Sequence, residues 1–206
     1  MLRESDELDV LPPESMRLIA HLQEVGIARR ALQAGERFPA FVLPSAEGHL
    51  ISSDELFGER PVVISFIRGH WCRFCLDALN KYKMAEESIA NAGGRLVVVT
   101  PDVGGRALQV KKRHHFEAEV LVDVDGGLAL TCGLLFRLPE EMQALYRRLG
   151  YDLPGSQGNH AWFLPVPATY VVDRARTVRF ADVEVDYRRR ANPDDILNAI
   201  ARLKPR

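Results

Sequence analysis

The residues best suited to chemistry lie in one stretch, Phe66-Ile67-Arg68-Gly69-His70-Trp71-Cys72-Arg73-Phe74-Cys75. Two cysteines three apart form a CxxC, with Trp71 directly before the first. An apolar, β-branched run, Pro61 to Ile67, leads in, and a helix-compatible run, Leu76 to Ala92, leads out. Strand, then CxxC, then helix is the layout of a thiol–disulfide redox site. The reacting species must be a thiolate, and a free cysteine titrates near pH ~8.5, so the site has to lower that value. Cys72 falls at the start of the helix, where unpaired N–H groups favour an anion by ~0.3–1 kcal/mol, or up to ~2 when partly buried. One pKa unit is about 1.4 kcal/mol, so the helix end supplies about one unit. Arg68, Arg73 and protonated His70 can add to it. Cys75, one turn on, reads as the more buried partner with the higher pKa, which closes the disulfide and releases the mixed-disulfide partner.

Other assignments of these residues are blander. Zinc wants four ligands, and no second CxxC or CxxH follows. Cys132 sits in the apolar run Leu128 to Leu135 and reads as an inert buried thiol. Trp71 reads equally as a substrate platform or a packed cap. His70 reads as an exposed loop histidine, with proton shuttling as the sharper alternative. His160 and Trp162 precede Pro167 in a long loop and are candidates for the border of the cleft. His21, His49, His114 and His115 read as surface, Asp77 as an exposed helical acid, and Arg188 to Arg190 as an anchor for the last helix.

The elements that must position the dithiol follow from periodicity. Glu14 to Val25 has an amphipathic helical pattern. Phe41 to Leu43 and His49 to Ile51 form a hairpin turning at Glu47-Gly48, and Ser53 reads as the N-cap of a one-turn helix. Pro61 to Ile67 and Arg95 to Thr100 read as strands buried on both faces. Helical patterns cover Cys72 to Ala92, Gly104 to Phe116, Gly126 to Cys132 and Leu138 to Gly150. Val120 to Val122 is a short strand, and Tyr151 to Leu164 reads as the longest loop. Ala168 to Val172 and Thr177 to Val185 are strands joined by a tight turn. Asn192-Pro193-Asp194-Asp195 opens a last helix with a cap, a proline at its first position and two acids on the dipole. Strand–helix alternation predicts parallel pairs and the final pair must be antiparallel, giving an α/β fold with a central mixed sheet and helices on both faces.

Composition sets the outer limits. The 206 residues are 47% apolar and 27% charged, enough for one well-buried core. A net charge of −1 gives no electrostatic case for nucleic acid or an anionic membrane as partner. Three cysteines are too few and odd in number for a secreted disulfide scaffold. Residues 1 to 11 read as a loose acidic tail without an apolar signal core, and no apolar run approaches the ~18 residues of a membrane helix. The expected location is therefore cytoplasmic, where a CxxC is a working dithiol.

Arg37-Phe38-Pro39-Ala40-Phe41-Val42-Leu43-Pro44, the segment Phe66 to Cys75, Leu164-Pro165-Val166-Pro167-Ala168-Thr169-Tyr170-Val171-Val172-Asp173 and Asp186-Tyr187-Arg188-Arg189-Arg190 together resemble the peroxiredoxin-like (AhpC/TSA) family, in a branch carrying CxxC. The resemblance implies a thioredoxin-like domain over residues 35–206, preceded by an N-terminal tail and helix over 1–34, with the hairpin as an extension. It also implies a redox-active dithiol that needs no cofactor or metal. Its expected partners are a disulfide-bearing protein or a hydroperoxide, and a thioredoxin- or glutathione-type donor. A homodimer through apolar residues of the first helix or hairpin is one further expectation. On the thioredoxin register, Trp71-Cys72-x-x-Cys75 matches, and Pro167 takes the place of a cis-proline whose neighbouring backbone pairs with a substrate strand. On the peroxiredoxin register, P-x-x-x-T-x-x-C, Cys75 stands at the peroxidatic position, Cys72 replaces Thr and Arg68 replaces Pro. The arginine that peroxiredoxins carry before the later strand is absent from Leu164 to Ala168. The leading expectation is thiol–disulfide oxidoreduction with Cys72 as nucleophile and Cys75 resolving. The alternatives are a peroxidase using Cys75 or Cys72, and a redox-sensing binding module.

Overall fold

The computed structural model describes residues 11–203, so the tail expected at the N-terminus lies, for residues 1–10, outside the described residues. In chain order the elements are α1 (Pro13–Glu24), α2 (Ile27–Arg30), β1 (Val42–Pro44), β2 (Leu50–Ser52), α3 (Ser53–Phe57), β3 (Val62–Phe66) and α4 (Arg73–Asn91). Then come β4 (Arg95–Thr100), α5 (Arg106–His114), β5 (Glu119–Val122), a 3-10 turn at Val124–Gly126, α6 (Gly127–Thr131), β6 (Leu135–Arg137) and α7 (Glu140–Arg148). The chain ends with α8 (Leu153–Gln157), β7 (Phe163–Pro165), β8 (Ala168–Val172), β9 (Val178–Val183) and α9 (Pro193–Ala201).

Five strands form the central sheet in the order β5-β4-β3-β8-β9. β3, β4 and β5 are parallel, while β8 runs antiparallel to β3 and β9 to β8. This is the mixed sheet that the alternation predicts. Every residue of β3 and β8 is buried, because helices or loops cover both faces. Alternate side chains feed two cores: Val63 and Val98 pack with Leu79 and Tyr82 of α4 and Ile196 of α9, while Ile64 and Val97 pack with Phe38, Phe57 and Leu128. A third cluster joins Leu18, Ile19 and Leu22 of α1 to Met142, Leu145 and Tyr146 of α7.

Three details differ from expectation. The cap of α3 is Ser52, not Ser53: Ser52 and Glu55 form a capping box, and Ser53 Oγ instead accepts from the Phe41 N–H at 3.2 Å. The segment expected as one long loop contains α8, capped by Asp152, and β7, which pairs antiparallel with the unforeseen β6. His114, expected at the surface, is buried between α5 and α4, with Nδ1 2.7 Å from Asn80 Oδ1.

Candidate active site

Parallel pairing of β3 and β4 brings their carboxyl ends together, the usual place for chemistry on such a sheet. The loop after β3 carries residues 67–72, and the loop after β4 carries Asp102. The buried Asp102 carboxylate accepts from the His70 backbone N–H at 2.7 Å and from the Thr100 hydroxyl at 2.8 Å, and its other oxygen lies 2.9 Å from His70 Nδ1. The His70 ring is part-exposed and the Asp102 side chain is wholly buried, so the pair anchors the loop. Gly69 makes this turn possible: its φ is +141°, and a Cβ there would stand 2.6 Å from Trp71 Nε1 and 3.0 Å from Asp102 Oδ1.

Cys72 is the N-cap of α4, and Cys75 lies one turn in; both are reduced and buried, with exposures of 3% and 0%. Cys75 Sγ accepts from the Arg68 backbone N–H at 3.4 Å and from Arg190 Nη2 at 3.1 Å. Burial pushes the Cys75 thiol up, but a hydrogen bond from Cys72, the Arg190 and Arg68 guanidiniums and the Arg68 N–H outweigh it and bring it to about 5. Cys72 moves the other way, well up, because it hydrogen-bonds to Cys75 and is itself buried. The order expected from the sequence is therefore reversed. Cys75 is the more buried sulfur, as expected, yet it is the anionic one.

The reason is the placement of two arginines. Arg68, expected only as a nearby cation, is 2% exposed and stacks on Tyr187 at 4.0 Å, with Trp71 at 5.1 Å and Tyr146 at 5.7 Å. It also donates to the Tyr146 hydroxyl. Arg190 comes from the turn between β9 and α9, which the packing of α9 beside α4 brings to the dithiol. It supplies the guanidinium that Leu164 to Ala168 lacks, from a position 115 residues away from Cys75. The run Arg188-Arg189-Arg190 ahead of a helix cap was the one sequence signal for it. Its neighbour Arg188 is paired with Asp186 at 2.7 Å.

Pro167 is buried near Arg68, but its peptide bond is trans, as are all others among the described residues, in contrast to the expected cis form. The backbone beside it is also taken. The Val166 N–H donates to Leu134 C=O at 2.8 Å, and Pro167 C=O accepts from the Glu184 N–H at 3.1 Å. Extended pairing with the chain's own β6 and β9 flanks thus occupies the groups that a substrate strand would use.

Trp71 packs its ring against Tyr146 at 5.3 Å and Tyr151 at 5.0 Å, and Arg73 lies over Phe74 at 4.5 Å. These side chains, with Cys72 and Arg68, border a cavity of about 300 Å³. His160 is exposed, and Trp162 is buried in the third core under Arg147, so neither borders that cavity. Asp77 is exposed, as expected. Cys132 is buried on the opposite sheet face, and burial pushes it up to about 12. Among the described residues, no group of three or more His, Cys, Asp or Glu side chains converges to hold a metal ion, and no helix is long and apolar enough to cross a membrane.

The model of the AhpC/TSA family matches residues 34–181. Among curated proteins, none matches. Peroxidoxin BcpB from Mycobacterium tuberculosis has a similar structure, with TM-score 0.65 and 17% identity over 84% of this chain and 99% of its own. Reduced Prx3 from Vibrio vulnificus in complex with hydrogen peroxide superposes with TM-score 0.66 and 17% identity over 82% and 99%. Mycobacterium tuberculosis AhpC gives 0.63 and 16% over 84% and 93%. At such identities the likeness is one of fold.

Proposed function

The chain belongs to the AhpC/TSA family of thiol-dependent oxidoreductases, and from that premise we propose that it is a thiol peroxidase whose attacking group is Cys75, with Cys72 resolving. In the first step the Cys75 thiolate attacks the terminal oxygen of a hydroperoxide. The O–O bond breaks, the sulfur becomes a sulfenic acid, and the departing alkoxide or hydroxide takes a proton to leave as an alcohol or water. In the second step Cys72 attacks the Cys75 sulfur, an S–S bond forms and water leaves. An external thiol donor of thioredoxin or glutathione type then returns two electrons.

One observation carries this reading: Arg190 Nη2 lies 3.1 Å from Cys75 Sγ, so the stabilised anion is the second cysteine. Burial supports it too. With 3% and 0% exposure, the sulfurs suit a small oxidant better than a protein disulfide. The competing reading, disulfide reduction by Cys72, needs an accessible Cys72 thiolate and free backbone beside Pro167; the former is disfavoured by the raised Cys72 and the latter by the pairing of Val166 and Pro167.

Single-turnover peroxide consumption by Cys72→Ser and Cys75→Ser tests the choice. Cys72→Ser should consume one equivalent of hydroperoxide per chain and hold a sulfenic acid that dimedone captures. Cys75→Ser should lose rapid consumption. If Cys72→Ser is the inert variant and Cys75→Ser instead traps mixed disulfides with disulfide-bonded substrates such as insulin, the disulfide-reductase reading replaces this one.

A further inference from the structure

Arg190 reaches Cys75 from the turn between β9 and α9, and its remaining bonds do not fix where that turn lies. Nη1 donates to the Tyr187 and Arg189 carbonyls, both in the same turn, and Nε has no hydrogen-bond partner among the described residues. Bonds within the turn give it a shape. Its place beside Cys75 has to come from another element. Phe74 of α4 packs on Tyr187 at 5.7 Å, but ring packing restrains without direction.

A directed contact comes from Tyr82. It lies seven residues after Cys75, two turns along the same face of α4, and is 1% exposed. Its hydroxyl is 3.4 Å from the carbonyl oxygen of Ala191, the residue next to Arg190, and 3.1 Å from Thr169 Oγ1. A carbonyl can only accept, so the Tyr82 O–H donates to Ala191 and the Thr169 hydroxyl donates to Tyr82. Thr169 is fixed in the sheet, between Ser65 of β3 and Asp182 of β9 in register. The bonds therefore run from the sheet through α4 to the turn that carries Arg190. A ring that only filled this core would need no hydroxyl. Burial raises Tyr82 above its ordinary range, so it remains a neutral donor wherever Cys75 titrates.

Resting on the peroxidase reading above, we propose that Tyr82 is a positioning residue: its hydroxyl ties the β9–α9 turn to α4 and so holds the Arg190 guanidinium against Cys75 Sγ. The same helix then carries the sulfur and the group that places the sulfur's cation. Charged and titratable groups around this contact are few enough to separate. Cys72, Arg68 and Arg190 act on Cys75. Asp77 and Lys81 of α4 and Arg188 of the turn border the same cavity as Arg190. Asp182 of β9 interacts with Arg190 and with Asp195 of α9. Thiolate absorbance reads sulfur alone, so titration of these carboxylates is not mistaken for that of Cys75.

The test titrates thiolate absorbance in the reduced Cys72→Ser protein, alone and with Tyr82→Phe, Arg190→Gln or both. Tyr82→Phe should raise the Cys75 midpoint by about half a pH unit or more, and should add nothing once Arg190 is replaced. In the chain with both cysteines, the acid limb of the first-turnover peroxide rate should move up with it. Thr169→Val removes the other partner of the hydroxyl and should act in the same direction, whereas Thr169→Ser should leave the midpoint unmoved. That pair carries the test if Tyr82→Phe does not fold. A midpoint unmoved by Tyr82→Phe, with Arg190→Gln raising it, overturns the inference and leaves the peroxidase reading standing. An equal rise with and without Arg190 also overturns it, because Tyr82 then acts by another route. A wild type that consumes no peroxide, with the midpoints moving as expected, overturns the peroxidase reading and leaves the tie to Cys75 in place.

Discussion

At the scale of single residues, the charge on Cys75 is set by groups that a local reading of CxxC does not contain. A charge-assisted hydrogen bond is worth about 1.5–3 kcal/mol, which is about 1–2 pKa units. Arg190→Gln should therefore move the acid limb of the first-turnover rate upward by about 1–2 pH units. The sign follows from the lowered Cys75: in the wild type the thiolate persists as pH falls and is lost only near about 5, so the variant should be slowed most on the acid side and least above neutrality. Stopped-flow rates across pH check this. The dithiol itself was legible, because Trp71, Cys72 and Cys75 sit at a strand–helix join. Its polarity was not. The helix dipole pointed to Cys72, whereas the deciding cation comes from Arg190, and long-range placement of that kind leaves no trace in spacing. The same limit explains why the buried Arg68 was foreseen as a cation but not as one boxed by Trp71, Tyr146 and Tyr187.

At the scale of elements, the loop between β3 and α4 holds the site together. Gly69 is the position where its backbone admits no side chain, since a Cβ would overlap Trp71 and crowd Asp102. Gly69→Ala should destabilise the fold by about 1–3 kcal/mol, read from urea denaturation, and should slow peroxide turnover through displacement of Trp71 and His70. An unchanged midpoint would remove the strain from this explanation. The long buried strands were legible because β3, β4 and β8 are unbroken apolar runs. β6 and β7 were not, because three-residue strands with Arg137 or Pro165 at an end carry no period. α8 was hidden by the Gly- and Pro-rich composition around it, although Asp152 is a standard cap for it.

At the scale of the molecule, the two faces of the sheet have separate tasks. One carries the dithiol between α4 and α9, and the other carries Cys132 in a sealed core. Cys132→Ala should leave peroxide turnover unchanged, and native Cys132 should resist alkylation until the chain unfolds, as mass spectrometry after iodoacetamide would show. Fold class was legible from the alternation of strands and helices. The seat of α1 was not, since its amphipathic pattern names an apolar face but not the partner, α7, that lies 124 residues on at the Arg17–Glu141 pair. Which sulfur carries the charge is the point on which all three scales converge. The most direct measurement is a pH titration of thiolate absorbance in the reduced Cys72→Ser and Cys75→Ser proteins. Cys72→Ser should show a thiolate with a midpoint below the ordinary cysteine range, held down by Arg190 and Arg68, and the midpoint in Cys75→Ser should lie higher. A low midpoint in Cys75→Ser, with none in Cys72→Ser, would contradict the assignment of Cys75 as the attacking group.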